Sequence, residues 1–409
     1  MDAGAFGVYV CIFIALYFEV FLMLSFLERK PSKKTTHYPT HYPTVAMIVP
    51  CWNEEETLAR TIESLLALEY PKNKLKVVVV DDGSTDNTLI IANQYKDNPQ
   101  VLVITKPNGG KYTALNVGIE RTNTDLIGCL DADSFVEPDG LVEMIKAFEA
   151  DPTIMALAPT MKVYRPQSML ELMQAVEYTF GIFYKKMFDN IGAVSVLPGP
   201  FSLYKREVFT QIGLLKHAHN TEDMEITFRM HAHHLKIANA HNTIVHTTVP
   251  KTIAALIKQR GRWSQGYLQN SQDYSYMYFN PKFGNFGMLV LPFGLLAFFA
   301  GLYTAGYAGY HGMLLVTDKM FALWSSSVPL HFPTFQFNWF YFNTSMLTFL
   351  VVATLSLTLV AVLLGQRIAN TRLGVKALVS YFAFFGFIAP IWLLRALWGA
   401  IRAKDAAWR

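Results

Sequence analysis

Four long apolar segments limit how this chain can fold more than any other feature. They cover residues 4–26, 286–310, 341–365 and 374–394, and a helix needs about 20 apolar residues to cross a bilayer. Charged residues make up only 16% of the chain, against roughly 25% in soluble domains. The sequence therefore predicts a multi-pass membrane protein with one large polar region between the first two segments.

The first apolar segment is interpreted as an anchor that stays in the mature protein. It lacks the basic start and the small-residue cleavage site of a signal peptide. Glu19 interrupts it, and a carboxylate inside a membrane either marks a functional site or only snorkels to the membrane surface or pairs with another helix. Both interpretations of Glu19 stay open at this point.

Basic residues beside the apolar segments predict which side of the membrane each loop faces. Four of them directly follow the first segment, so residues 30–285 are expected on the cytosolic side of the plasma membrane. Alternating the remaining spans then puts the C-terminus outside, although the last residues are also basic. Either residues 313–333 or a neighbouring stretch enters the membrane, or the last apolar segment is re-entrant. The residues behind this conflict are Arg29, Lys30, Lys33 and Lys34 at one end and Arg395, Arg402, Lys404 and Arg409 at the other.

Between residues 44 and 159, short β-branched runs alternate with stretches of helical periodicity. The runs are at 44–49, 76–80, 101–105 and 126–130. Apolar strands separated by helices predict an α/β domain with a buried, mainly parallel sheet. Ligands bind at the carboxyl ends of the strands in such sheets, and the polar motifs lie at those ends.

The patterns divide the chain into four parts. We expect an anchor at 1–29, an α/β domain at 30–250, amphipathic interfacial helices with basic and aromatic residues at 251–285, and membrane helices at 286–409.

Two pairs of carboxylates follow predicted strands. Asp81 and Asp82 end the run 76–80 and could accept hydrogen bonds from a base or a ribose, or form only a turn and a helix cap. Asp131 and Asp133 follow the run 126–130 and could share a divalent cation. Carboxylate oxygens suit Mg²⁺ or Mn²⁺, whose shell is often completed by substrate phosphates. The alternative for the second pair is a solvated loop.

Two predicted helices begin with residues suited to phosphate or proton chemistry. Glycines precede Lys111 at a helix start, a place that favours anions, although a plain helix-entry loop fits equally well. Glu222 and Asp223 begin a later helix, where carboxylates are normally caps. Asp223 could instead take a proton from an attacking hydroxyl if it lies over a sugar site.

The pentapeptide at 259–263, QRGRW, lies in a basic, aromatic and amphipathic stretch. Trp263 could form a platform for a sugar ring, and Arg262 could neutralise a diphosphate. The alternative is an anchor on the membrane surface.

These motifs, in this order and followed by membrane spans, resemble those of processive family 2 glycosyltransferases. That group includes the cellulose, chitin, hyaluronan and poly-N-acetylglucosamine synthases. The resemblance covers about residues 40–285 by motif, and QRGRW is its most specific element. It implies a GT-A fold and an inverting β-glycosyltransferase. The expected product is an exported polysaccharide of a nucleotide-activated hexose or N-acetylhexosamine, with UDP-N-acetylglucosamine favoured.

The resemblance also implies roles for single residues. Asp223 would be the catalytic base, and Asp133 would bind Mg²⁺ or Mn²⁺ directly, together with Asp131. Gly199 and Pro200 belong to a loop that resembles the acceptor-side loop of amino-sugar polymerases, and 405–409 resembles the tail of hyaluronan-type enzymes. The residues expected to bind substrate are Glu54, Asp81, Asp82, Lys111, Asp131, Gly199, Pro200, Glu222, Gln259, Arg262 and Trp263.

The partners expected from the resemblance are a UDP-sugar donor, a growing glycan, the lipid bilayer and an accessory membrane subunit. Nucleic acid is not expected, because a net charge of +4 is too small to attract it. Two alternative functions stay open: a non-processive transferase that adds one sugar to a lipid, and a membrane protein that binds nucleotide sugars without turnover.

Overall fold

The computed structural model describes residues 3–28, 38–326 and 345–402. Several predictions concern residues outside these ranges: the basic residues at 29–34, part of the stretch 313–333, the start of the segment 341–365, and the tail 405–409.

A single α/β domain follows the first helix and precedes three long apolar helices. Short 3-10 turns lie at Lys72–Lys74, Ala218–Asn220, Ser275–Met277 and Pro281–Phe283, and a π-helical turn, Phe286–Val290, leads into α10. The strands are β1 (Val45–Cys51), β2 (Leu75–Asp81), β3 (Val101–Thr105), β4 (Leu126–Cys129), β5 (Ser134–Val136), β6 (Ile154–Val163), β7 (Leu203–Lys205) and β8 (Lys236–Thr247). The helices are α1 (Ala3–Glu28), α2 (Leu58–Leu66), α3 (Thr88–Asn93), α4 (Lys111–Glu120), α5 (Gly140–Ala150), α6 (Met169–Asn190), α7 (Arg206–Ile212), α8 (Glu222–Ala232), α9 (Ile253–Asp273), α10 (Leu291–Ser326), α11 (Met346–Ile368) and α12 (Val375–Ile401).

The eight strands form one mixed sheet in the order β3-β2-β1-β4-β7-β6-β8-β5. Strands β3, β2, β1 and β4 run parallel, as do β6 and β8, while β7 and β5 pair antiparallel to their neighbours. The predicted fold class, an α/β domain with a mixed, mainly parallel sheet, is confirmed. The carboxyl ends of β1, β2 and β4 meet at one edge, and the polar motifs lie there.

The sheet is covered on both faces, which explains why its central strands are apolar throughout. Every residue of β1 is buried. Met47 and Val77 face one apolar core, and Ile48 and Val78 face the other. Because burying such a side chain contributes about 1.5–3 kcal/mol, the two cores hold the strand ends in fixed positions.

Within the part of the chain that the structure describes, four helices are long and apolar enough to cross a membrane: Gly4–Phe26, Phe286–Ser326, Met346–Ile368 and Val375–Ile401. They correspond to the four predicted segments, although the second extends 16 residues beyond its predicted end at 310.

Glu19 is buried in α1 and accepts a hydrogen bond of 3.3 Å from the Thr358 hydroxyl of α11. Of the two interpretations of Glu19, the structure shows the pairing with another helix.

Candidate active site

A cavity of about 590 Å³ lies beside the carboxyl ends of the strands, between the sheet, α6 and α9. It is the place where most of the predicted residues come together. Those that line it are Glu54, Lys111, Asp131, Asp133, Gly199, Pro200, Glu222, Asp223, Gln259, Arg262 and Trp263.

The two carboxylates that follow β4 reach this cavity from a short loop. Asp131 forms an ion pair with Lys111, with 2.7 Å between the carboxylate oxygen and Nζ. Asp133 accepts a hydrogen bond of 3.0 Å from the Ser134 hydroxyl. Gly199 passes close by, because a Cβ atom added to it would lie 2.9 Å from both Asp131 oxygens. The loop of Gly199 therefore limits the space around the Asp131 carboxylate.

Lys111 begins α4 after Gly110, whose φ of +91° is a backbone conformation that glycine adopts most readily. Its ammonium also lies 3.3 Å from the Glu222 carboxylate. Burial lowers the pKa of Lys111, but the carboxylates of Asp131, Glu222 and Asp223 outweigh burial and leave that pKa above its ordinary value. Lys111 is therefore a permanent cation among acidic groups.

Asp223 lies in the first turn of α8 and is held by the backbone N–H of Met224, which donates to its carboxylate at 2.9 Å. Burial, and then the Glu222 carboxylate, raise the pKa of Asp223 to about 6, although Lys111 and Arg262 act in the opposite direction. A carboxylate with a pKa in this range can accept a proton near neutral pH and release it afterwards.

The segment directly before Asp223 has an unusual backbone. Ala218, His219 and Asn220 have φ values of +43°, +55° and +59°, a left-handed conformation that is costly outside glycine. Arg262 holds the end of this segment, because its guanidinium donates a hydrogen bond of 2.7 Å to the Asn220 carbonyl. Arg262 thus connects α9 to the start of the helix that carries Asp223.

Helix α9 carries the pentapeptide, and Arg260 within it ties α9 to α6. The Arg260 guanidinium makes two hydrogen bonds of 2.9 Å to the two carboxylate oxygens of Glu177. It also lies 4.2 Å from the ring centroid of Trp263 and donates to the Gln259 side chain at 2.7 Å. Arg260 therefore orients both Gln259 and Trp263.

Asp81 and Asp82 do not line the cavity and instead bind groups of the protein itself. Asp82 is fully buried, forms an ion pair with Lys106, and accepts hydrogen bonds of 3.0 and 2.9 Å from the backbone of Gly109 and Gly110. Asp81 accepts a hydrogen bond of 3.1 Å from the Thr105 hydroxyl. In this structure Asp82 holds the glycine loop that leads to Lys111, while Asp81 binds the end of β3.

Sequence reasoning missed the contribution of α6 to the cavity. Tyr178, Gly181 and Lys185 line it from one face of that helix. Burial lowers the pKa of Lys185 to about 8, and the Asp223 carboxylate opposes part of this shift. The spacing of these residues, three and four apart, was the available signal, since such residues share one side of a helix.

Residues 46–213 match the family described as Glycosyl transferase family 2. This part of the chain is a family 2 glycosyltransferase domain. It contains the loop of Glu54, Lys111, both carboxylates after β4 and the loop of Gly199, and the predicted resemblance to family 2 is thereby confirmed. Asp223 and α9 lie after the matched residues and join this domain in forming the cavity.

Among curated proteins, the chain is similar to two poly-beta-1,6-N-acetyl-D-glucosamine synthases. The protein from Staphylococcus epidermidis is 31% identical over 263 residues, which is 62% of this chain and 63% of the relative. The protein from Staphylococcus aureus strain COL is 33% identical over 224 residues, 54% of each chain. The match therefore spans less than two thirds of either relative.

A solved structure extends the similarity in fold beyond the family 2 domain. The mannosyltransferase PcManGT from Pyrobaculum calidifontis, in complex with GDP-Man and Mn²⁺, superposes with a TM-score of 0.57 over 90% of this chain and 99% of its own, at 21% identity. The predicted GT-A fold is confirmed by this likeness.

Proposed function

We propose that the protein is an inverting glycosyltransferase that builds a polysaccharide from a nucleotide-activated sugar at the cytosolic face of the plasma membrane. The observation that carries this proposal is the convergence of Asp223, the carboxylates Asp131 and Asp133, and the side chains of Arg262 and Trp263 on one cavity. The family 2 domain and the two polysaccharide-synthase relatives support the same reaction class.

The acidic loop after β4 fits a divalent cation. Asp131 and Asp133 provide oxygen ligands, and within the described ranges no three His, Cys, Asp or Glu side chains lie together so as to hold a metal by themselves. Mg²⁺ and Mn²⁺ are commonly bound by one or two carboxylates and the phosphates of a substrate. We infer that the two residues would hold Mg²⁺ or Mn²⁺ with the donor, and that the cation, when bound, would offset the charge of the diphosphate.

We expect two cations of the chain itself to bind the leaving diphosphate. Lys111 is held between Asp131 and Glu222, and Arg262 lies in the cavity wall on α9. Donors that are fixed before the reaction stabilise developing charge more effectively than groups that must reorganise. We also propose that Asp81 and Asp82 take part in binding the nucleoside. Asp82 contacts the glycine loop that leads to Lys111, and this loop links that carboxylate to Lys111.

The acceptor hydroxyl is expected to lie beside Asp223. Its proton passes to the Asp223 carboxylate while its oxygen forms the new bond to the anomeric carbon, and the bond from that carbon to the diphosphate breaks. Attack from the face opposite the leaving group inverts the configuration. Trp263, held by Arg260, is the expected platform for the terminal sugar, with Gln259, Gly199 and Pro200 around it.

We further propose that the donor is UDP-N-acetylglucosamine and that transfer is processive, with export of the chain. The relatives named as poly-beta-1,6-N-acetyl-D-glucosamine synthases support this choice of sugar, and QRGRW supports repeated addition. A non-processive transfer to a lipid is the second candidate. An accessory membrane subunit remains a proposed partner.

A donor screen tests the proposed function directly. Purified protein in lipid nanodiscs is incubated with Mg²⁺ or Mn²⁺ and UDP-N-acetylglucosamine, UDP-glucose, UDP-glucuronic acid or GDP-mannose, and nucleotide release and product length on a gel are measured. We expect UDP release and a ladder of long products from UDP-N-acetylglucosamine alone. A single-sugar product would replace polymerisation by the lipid-linked alternative, and nucleotide release from none of the donors would contradict the proposal.

A further inference from the structure

Helix α12 is apolar and long enough to cross a membrane, yet it touches the helices of the α/β domain at both of its ends. Near its start, the Ser380 hydroxyl donates a hydrogen bond of 2.6 Å to the carbonyl of Met169, the first residue of α6. Near its end, a Cβ atom added to Gly399 would lie 2.2 Å from the Gln265 side chain of α9. These two contacts are about 28 Å apart along the helix, at 1.5 Å per residue.

The face between these contacts also packs on the domain. Tyr381 and Trp392 are buried in a cluster with Met173 of α6 and Leu256 of α9, and the side chain of Arg395 lies 3.3 Å from a Cβ atom placed on Gly261. A helix that crossed the bilayer would leave the domain after one end and finish about 30 Å away from it. Helix α12 instead follows the surface of the domain.

The partners of α12 cannot themselves lie across the hydrocarbon core. Helix α9 carries Lys258, Arg260 and Arg262, and its other side lines the polar cavity. Charged side chains at the centre of a bilayer are expensive. Because α12 runs beside α9, the two helices are expected to lie at the same boundary between membrane and cytosol.

The opposite face of α12 is apolar and exposed. Its residues recur every three or four positions, as one side of a helix requires. They are Phe384, Phe387, Ile391, Leu394, Trp398 and Ile401.

The basic residues at the two ends of α12 also favour a helix that does not cross the membrane. Arg367, Arg372 and Lys376 lie around its start, and Arg395 and Arg402 lie at its end. Basic residues favour the cytosolic side, and a crossing helix would export one of these groups. A helix lying flat keeps both groups in the cytosol.

From these contacts and charges we propose that α12 does not cross the membrane but lies flat in its cytosolic leaflet, with lipid acyl chains covering the exposed apolar face. Among the described helices, α1, α10 and α11 then cross the membrane, and the described C-terminal end lies on the side of the α/β domain. The basic residues at both ends of α12 then lie on the cytosolic side, which removes the conflict found in the sequence. As in the re-entrant alternative, the last apolar segment ends on the side of the membrane from which it starts. The proposal rests on the proposed membrane location but not on the proposed sugar transfer.

Cysteine labelling tests which side each end of α12 occupies. In a full chain with Cys11, Cys51 and Cys129 replaced by serine, single substitutions Thr371→Cys, Arg402→Cys and Thr317→Cys are probed with a membrane-impermeant maleimide in oriented vesicles. We expect Thr371→Cys and Arg402→Cys to react from one side and Thr317→Cys, on α10, from the other. Reaction of Arg402→Cys from the side of Thr317→Cys would overturn the proposal. Reaction of all three from one side would refute the membrane crossings on which it rests.

Spin labels test whether the helix lies flat and what covers it. Phe387→Cys, Leu394→Cys and Ile401→Cys lie seven residues apart on one face. Power saturation with oxygen and a nickel chelate is expected to give the same depth for all three. A crossing helix would change the depth by about 10 Å between successive labels, and labels shielded from both reagents would show that protein, not lipid, covers this face. Either result would overturn the proposal.

Discussion

The proposed chemistry of the cavity depends on the pKa of Asp223, on which burial and the neighbouring charges act in opposite directions. Burial and the Glu222 carboxylate raise its pKa to about 6, while Lys111 and Arg262 limit the rise. A base must be deprotonated to act, so a raised pKa places the loss of activity at a higher pH than for an ordinary aspartate. The transfer rate should therefore fall as the pH drops through about 6.

Glu222→Gln is expected to move this acid limb to lower pH, because it removes the charge that acts after burial to raise the pKa of Asp223. The measurement is the pH profile of kcat, with the rate of nucleotide release as the readout. Asp97→Asn, an exposed carboxylate on the α/β domain, is the control and should leave the profile unchanged. An acid limb at the same pH in Glu222→Gln would show that Asp223 is not the titrating base.

Gly199 leaves only enough space for the pair of Lys111 and Asp131. A Cβ atom there would lie 2.6 Å from the Lys111 ammonium and 2.9 Å from the Asp131 oxygens, so Gly199→Ala must push the two groups apart. We expect the transfer rate to fall by on the order of 100-fold, as for other small displacements in active sites, with little change in thermal stability. Gly386→Ala, where the added Cβ meets nothing within 4 Å, should behave like the wild type.

The sequence predicted residue types near strand ends better than their contacts. Asp131 and Asp133 were found because carboxylates at the end of an apolar strand stand out. Asp82 shows the same pattern, but its contacts with the glycine loop were not predicted, since a strand end does not tell which protein groups a carboxylate meets. Lys185 was missed because its neighbours in the cavity come from elements far away in sequence.

At the scale of elements, the ion pair of Glu177 with Arg260 joins α6 to α9 and supports the cavity. Glu177→Gln should destabilise the protein by about 2–3 kcal/mol, because it leaves the buried Arg260 guanidinium without its carboxylate. Thermal unfolding in detergent measures this effect. Asp151→Asn, which removes an exposed partner of Lys236, should cost at most about 1 kcal/mol. Equal losses in the two variants would show that the pair does not hold α9 in place.

The elements that the sequence predicted are those with a local pattern. Strands β1 to β4 are apolar runs that alternate with helices, and they lie within two residues of their expected bounds. Strands β5 and β7 have three residues each, too few for a period, and they form by pairing with distant strands. Helix α12 has the composition of a membrane span, and only its tertiary contacts distinguish a flat helix from a crossing one.

In the whole molecule, one cavity lies where the family 2 domain meets helices α8 and α9. The sheet supplies Asp131 and Asp133, α8 supplies Asp223, and α9 supplies Arg262 and Trp263. Because α9 packs on α12, the proposed flat position of α12 would bring the wall of the cavity that is expected to bind the acceptor close to the lipid. A product that leaves this wall would enter the membrane region directly.

The most direct test of the account is product formation by Asp223→Asn in nanodiscs, with radiolabelled UDP-N-acetylglucosamine and the wild type beside it. The substitution keeps the size of the side chain and removes its capacity to accept a proton. We predict that the variant binds donor with a Kd close to that of the wild type and forms polymer at least about 100-fold more slowly. Polymer formed at the wild-type rate would contradict the assignment of Asp223 as the base and, with it, the central claim about this cavity.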